Sequence, residues 1–233
     1  MSWVTQTLAS SLGRKVIMSL TGLFLSTFLI VHVAGNLQLF KADGGRAFNE
    51  YSFFMTHNPV IMTVSYLLYT SIVVHAIMAL LLTRHNQASR PVKYAYARPE
   101  ANSPWSSRNM GILGTVLLIF IVIHMRTFWY TMHFGPIPMA EYDGKEYKDL
   151  YKIVMEAFSN WWYVLFYVIA MGALGYHLVH GFKSGFQTLG LRHRKYTPLI
   201  EFLGVWVFSI VIPALFAAMP VFFFLKHVGV IGK

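Results

Sequence analysis

Apolar and polar positions alternate in blocks along the chain, with five long apolar stretches at about 16–40, 59–83, 109–133, 160–183 and 198–225. A helix that crosses a membrane needs about 20 predominantly apolar residues, and each stretch is long enough to span with some tilt. The pattern predicts an all-α membrane protein with five transmembrane helices in a single domain over residues 1–233. Residues 1–15 form a short, mildly amphipathic lead-in. The longest connections, about 84–108 and 134–159, are too short for a catalytic domain, and no internal repeat, low-complexity tract or soluble domain is evident. Arg14 and Lys15 precede the first stretch, as in a signal peptide. That stretch exceeds an h-region of roughly 7–15 residues and lacks a small-residue cleavage site, so it reads as a retained helix. Pro213 and Pro220 interrupt the fifth, which membrane helices tolerate when neighbours re-satisfy the backbone.

Composition supports this. Only 12% of the 233 residues are charged and 56% are hydrophobic, against roughly 25% charged in soluble domains. The formal charge is +10. A soluble protein this basic would suggest nucleic acid, but here the basic residues cluster at the ends of apolar runs, so the expected partner is the lipid bilayer and no nucleic acid. Arg14, Lys15, Arg84, Arg90, Lys93, Arg98, Arg108, Lys183, Arg192, Arg194 and Lys195 fall on the side of the N-terminus, opposed only by Glu100 and Glu201. The other side balances basic residues, including Arg126 and the tail lysines, with most of the acids. The positive-inside rule then puts the N-terminus in the cytoplasm and the C-terminus outside. Trp105, Trp129, Trp161 and Trp162 sit near the predicted helix ends, as an aromatic belt requires.

Candidate chemistry comes from histidine. The first four stretches each carry one at depth, His32, His75, His124 and His177, with His180 one turn beyond His177. An ionisable residue at membrane depth is a functional-site hypothesis by default. At 1.5 Å per residue, His32 lies about 24 Å and His124 about 22 Å from the cytoplasmic end of their helices. His75 and His177 lie about 24–26 Å from the outer end of theirs. The four therefore sort into an outer pair, His32 with His124, and an inner pair, His75 with His177, at levels on the order of 15 Å apart within a core of about 30 Å. One histidine in a membrane helix ordinarily makes a helix–helix hydrogen bond. Four in four helices, paired by depth, suit two bis-imidazole haem sites in a bundle of the first four helices. The chain has no cysteine, which excludes thiolate iron–sulfur clusters and covalent c-type haem, so the expected cofactors are two non-covalent b haems with histidine on the iron. His180 could replace His177 as ligand or hydrogen-bond to haem from the next turn. His57, His85, His133, His193 and His227 lie in loops or at helix ends and read as solvated or interfacial.

Haem also needs room and edge contacts. Gly172, Gly175, Gly181 and Gly185 flank His177, and Gly22 and Gly35 flank His32; small residues allow close approach of a helix or of a porphyrin. Ser19, Trp105 and Lys183 at the inner level and Arg126 near the outer one are candidate donors to haem propionates. The fifth helix has no deep histidine and is assigned a packing role. A haem-free, histidine-lined transporter is the alternative of a different class, but transport normally also uses buried carboxylates, and only Glu201, near a helix end, approaches that.

The chain resembles the cytochrome b membrane anchor of succinate:quinone oxidoreductases (succinate dehydrogenase and fumarate reductase), in the single-polypeptide, two-haem version. The resemblance is carried by GRKVIMSLTGLFLSTFLIVHVAGNL at 13–37, FNEYSFFMTHNPV at 48–60 with His75 after it, His124, and GYHLVHGFKSGFQTLG at 175–190. It covers nearly the whole chain and implies His75 and His177 on the inner haem, His32 and His124 on the outer, with His177 rather than His180 as ligand. Ser19 falls where some members place a hydroxyl near the inner haem propionate. Fumarate-reducing relatives can carry a glutamate two residues before the fourth ligand, where this chain has Gly175. The resemblance further implies a multi-pass protein of the bacterial cytoplasmic membrane, acting in respiratory electron transport. A flavoprotein and an iron–sulfur subunit would dock on its basic cytoplasmic face, and electrons would pass from succinate through flavin, clusters, inner haem and outer haem to a quinone, expected to be menaquinone. Glu50 in the first outer loop is the candidate proton-exchanging group of a quinone site, with Asn36 and Gln38 as hydrogen-bond partners. Within electron transfer, the alternative is the two-haem cytochrome b of a hydrogenase or formate dehydrogenase.

Overall fold

The computed structural model describes residues 2–89 and 98–232. Arg90 and Lys93, used above for orientation, lie outside them, as does Lys233. Five helices are long and apolar enough to cross a membrane: α1 (Ser11–Phe40), α2 (Pro59–Ala88), α3 (Met110–Phe134), α4 (Trp161–Thr188) and α5 (Thr197–His227). Large apolar side chains such as Leu20, Leu67, Val73, Ile112, Val122 and Ile169 are exposed on four of them. Patches of that kind mark an interaction surface rather than ordinary protein–water contact, and they suit a chain surrounded by lipid.

Local chemistry sets the helix starts. Ser10 accepts from the Gly13 amide at 3.0 Å and begins α1. Asn58 accepts from Val60 and Ile61, with Pro59 at the first helical position of α2. Asn160 accepts from Trp162 at the start of α4. Each side chain satisfies amides that have no partner within the helix. Thr188 is the last helical residue of α4, and Gly190 beyond it (φ 72°) adopts the left-handed conformation that a side chain would disfavour. The Leu191 amide there returns to Phe186 O and the Gly190 amide to Gln187 O, as a Schellman ending requires. Because capping rather than hydropathy ends a helix, α1 begins several residues before the apolar stretch, and α2 and α4 run beyond theirs.

Two helices change pitch. Met125–Tyr130 in α3 and Leu203–Val211 in α5 are π-helical. Pro213 follows the second and has no amide for the carbonyl of Ser209, four residues back; that carbonyl instead faces Gly175 of α4, where a Cβ would come within 2.6 Å of it. Gly204 likewise admits the Phe182 ring, where a Cβ would stand at 2.8 Å, and Phe182 stacks on Phe208 at 4.5 Å. These close approaches seat α5 on α4, and much of the buried core, including Phe182, Phe208, Ile212, Met219 and Phe223, lies along that seam. Gly175 is thus a helix-packing glycine facing α5.

Helices α1 to α4 touch in a ring: α1 with α2, α2 with α3, α3 with α4, and α4 with α1. The main contacts run around this ring rather than across its diagonals, and α5 lies outside it against α4 and α1. Where α1 and α3 end and α2 and α4 begin, the connections fold into a cap. It contains helices Arg46–His57 and Leu150–Ala157 and an antiparallel hairpin, β1 (Met139–Tyr142) with β2 (Lys145–Lys148), in the register Tyr142↔Lys145. The hairpin turns at Asp143 and Gly144, both with positive φ, the pair favoured in a two-residue turn. Asn49, only 1% exposed, ties the cap together. Its amide nitrogen donates to Tyr142 Oη and Asp149 Oδ1, and its oxygen accepts from the Tyr151 amide at 3.0 Å.

Candidate functional site

The four deep histidines meet in two pairs, each across a diagonal of the helix ring. His32 of α1 faces His124 of α3, ring centroids 5.9 Å apart, and His75 of α2 faces His177 of α4 at 6.3 Å. Thr21 of α1 touches His75, so the rise along α1 from Thr21 to His32 separates the two levels by about 16 Å. The pair at the cap end is His32–His124.

The ring nitrogens show which lone pairs are free. Thr21 Oγ1 donates to Ile17 O at 2.8 Å, with Met18 O also in reach, and lies 3.1 Å from His75 Nδ1. With its one hydrogen committed, the hydroxyl accepts from His75 Nδ1–H and leaves Nε2 unprotonated. Gly22 makes room for this ring: a Cβ there would stand 3.2 Å from His75 Cε1. His124 Nδ1 lies 3.0 Å from Tyr167 Oη, which is 3.1 Å from Tyr163 Oη, and Tyr163 donates to Thr127 Oγ1 at 2.8 Å. His177 Nδ1 is buried with no hydrogen-bond partner among the described residues. His32 differs: Asn36 Nδ2 donates to its carbonyl at 2.7 Å and approaches its Nδ1 at 3.3 Å. That contact makes Nδ1 an acceptor and puts the proton on Nε2, so ligation through Nε2 requires the proton to move and the contact to break.

An iron held by two imidazole nitrogens at about 2.0 Å each would separate the ring centroids by about 6.2 Å, allowing about 1.1 Å from nitrogen to centroid. Both pairs are close to this, and the donor set, neutral imidazole in an apolar wall, suits haem iron. Among the described residues, no group of three or more histidine or carboxylate side chains is placed to hold a metal ion; each pair offers two imidazoles, the number of protein ligands that a bis-histidine haem would need. The residues present fit the group.

The other candidates are dispersed. Ser19 is buried and donates to Lys15 O at 2.9 Å. Trp105 lies edge-on to Tyr176 at 5.5 Å, Lys183 pairs with Glu201 at 2.7 Å, and the Arg126 guanidinium stands 4.5 Å over Tyr130. His180 follows His177 by a turn but is not one of the paired rings. Glu50 is in the cap, 2.8 Å from Arg46, which also pairs with Asp143. An apolar cavity of about 290 Å³ opens between α2 and α3, lined by Tyr69, Ile72, Val73, Ile121, Met125 and Trp129.

Thr21, Tyr163 and Tyr167 were not singled out by sequence reasoning. The signal for the tyrosines was their four-residue spacing on α4, which puts both on one face, together with the need of a buried phenol for a partner. Comparison with family models, curated proteins and solved structures finds no match for this chain.

Proposed function

We propose that this chain is a membrane cytochrome b that holds two b haems and serves as anchor and electron-transfer subunit of a succinate:quinone oxidoreductase. The observation that carries the reading is the meeting of four histidines, one from each of four helices, as two pairs across both ring diagonals at 5.9 and 6.3 Å. His75 and His177 would hold the inner haem, and His32 and His124 the outer, within a bundle of α1 to α4. When bound, the haems supply one-electron carriage between the two faces of the membrane. The protein's part is to hold imidazole lone pairs in place, exclude water and fix the distance between centres.

The excess of basic residues on the side of the N-terminus supports a cytoplasmic N-terminus in a bacterial inner membrane, with flavoprotein and iron–sulfur partners on that face. The quinone, expected to be menaquinone, would react at the cap end, with Glu50 as proton-exchanging candidate.

The test is a dithionite-reduced minus oxidised spectrum of the purified protein with a pyridine haemochrome titration. Two b haems per chain are expected, falling to about one in His32→Ala and in His75→Ala. A chain without haem overturns the reading. Co-purification with a hydrogenase or formate dehydrogenase, instead of flavoprotein and iron–sulfur subunits, would reassign the complex while leaving the haem sites intact.

A further inference from the structure

Three hydroxyls stand in line behind one histidine of the cap-end pair. His124 Nδ1, Tyr167 Oη, Tyr163 Oη and Thr127 Oγ1 follow one another at 3.0, 3.1 and 2.8 Å. Tyr167 is 5% exposed, and the rings of Phe120 and Phe158 lie 4.9 and 5.0 Å from its own. The π-helical turn that begins at Met125 follows directly on His124 and contains Thr127. The altered pitch of such a turn changes which residues face the interior, and π-turns are frequent at functional sites.

The direction of these bonds can be derived. Tyr163 has one hydroxyl hydrogen and gives it to Thr127, so between the two tyrosines Tyr167 must be the donor. With its own hydrogen given to Tyr163, Tyr167 can only accept from His124, whose proton is therefore on Nδ1. We infer that Tyr167, backed by Tyr163 and Thr127, is a positioning residue that fixes the tautomer of His124 and sets the reduction potential of the cap-end haem. This rests on the haem reading above. An Nδ1–H that donates to an acceptor makes the imidazole a more basic ligand, and a more basic axial ligand favours ferric over ferrous iron in the one-electron couple. Second-shell hydrogen bonding is one of the protein's levers on haem potential. The other pair has no such chain of hydroxyls: His75 leans on the Thr21 hydroxyl and the Met18 carbonyl, and His177 Nδ1 has no partner among the described residues.

The test is a spectroelectrochemical titration of the wild-type protein, Tyr167→Phe and Tyr163→Phe, with haem content measured on each. In Tyr167→Phe one midpoint is expected to rise and the other to stay. The ferric-to-ferrous ratio of that haem at a fixed potential should fall about three- to tenfold, a rise of roughly 30–60 mV for a one-electron couple. Tyr163→Phe keeps the phenol beside His124 but removes its acceptor, and should move the same midpoint in the same direction by less. If Tyr167→Phe loses a haem, the midpoints of Tyr163→Phe decide. Two haems with both midpoints unmoved in the haem-replete variants would overturn the inference alone. A wild-type protein without haem would overturn the inference together with the reading beneath it.

Discussion

The His32–His124 and His75–His177 pairs have similar ring separations, 5.9 and 6.3 Å, but different surroundings. Phe28 stacks on His32 at 5.0 Å and Phe216 of α5 reaches it at 5.4 Å, while Phe120 and Phe128 flank His124 at 5.6 and 5.3 Å. The other pair has Thr21, the gap at Gly22 and an unpartnered Nδ1. Ring spacing is a property of the four-helix ring, since both diagonals are bridged by histidine pairs of the same reach. The surroundings come in part from other side chains of the ring helices, such as Phe28, Phe120, Thr21 and the tyrosines of α4, and in part from the π-turn and from α5, which supplies Phe216. As haem ligands, two pairs of similar spacing would therefore differ in electronic properties, because the helix ring sets distance while hydrogen bonds and aromatic packing set imidazole basicity and solvent access.

Three changes would break or sharpen this contrast. The largest effect is expected from Glu50→Gln, which should abolish quinone reduction while leaving both haems bound; near-normal turnover in a quinone-reduction assay would remove Glu50 from the mechanism. Next, Gly22→Val places branched carbon where a Cβ already meets His75 Cε1 at 3.2 Å. Haem content should fall to about one per chain with the cap-end spectrum retained, and an unchanged spectrum would mean that the His75 ring has room to spare. The smallest effect is expected from Asn49→Ala, which strands the Tyr151 amide and frees Tyr142 and Asp149. Leaving buried polar groups unmet costs about 1–3 kcal/mol, so the cap should be cleaved faster in limited proteolysis of the detergent-solubilised protein, with the inner pair's spectrum unaltered. Equal cleavage rates would mean that the cap holds without Asn49.

Helix number and the level of each histidine were legible because both follow from a one-dimensional count: apolar length against membrane thickness, and rise per residue along a helix. Partners of the rings were not legible, since they depend on rotation about each helix axis. Thr21 and Ser19 are close in sequence and alike in chemistry, yet Thr21 reaches His75 while Ser19 bonds back to Lys15 O. Gly175 illustrates the same limit. A glycine near His177 suits close approach of either a helix or a porphyrin, and it is Ser209 of α5 that it faces. The cap was not anticipated: Asp143-Gly144 is a hairpin signal inside a connection assigned no structure, and the buried role of Asn49 depends on segments about a hundred residues away in the chain.

By itself the sequence determined five helices of membrane-spanning length, a single histidine at depth in each of the first three and the choice of His177 or His180 in the fourth. Those properties depend on residue type and spacing alone. Only the tertiary structure decided that Thr21 rather than Ser19 reaches His75, that Gly175 faces α5, and that a chain of hydroxyls ends on His124. Each of these depends on which face a helix turns toward its neighbours, which is set by glycine contacts, by a π-turn and by the close packing of α5 on α4.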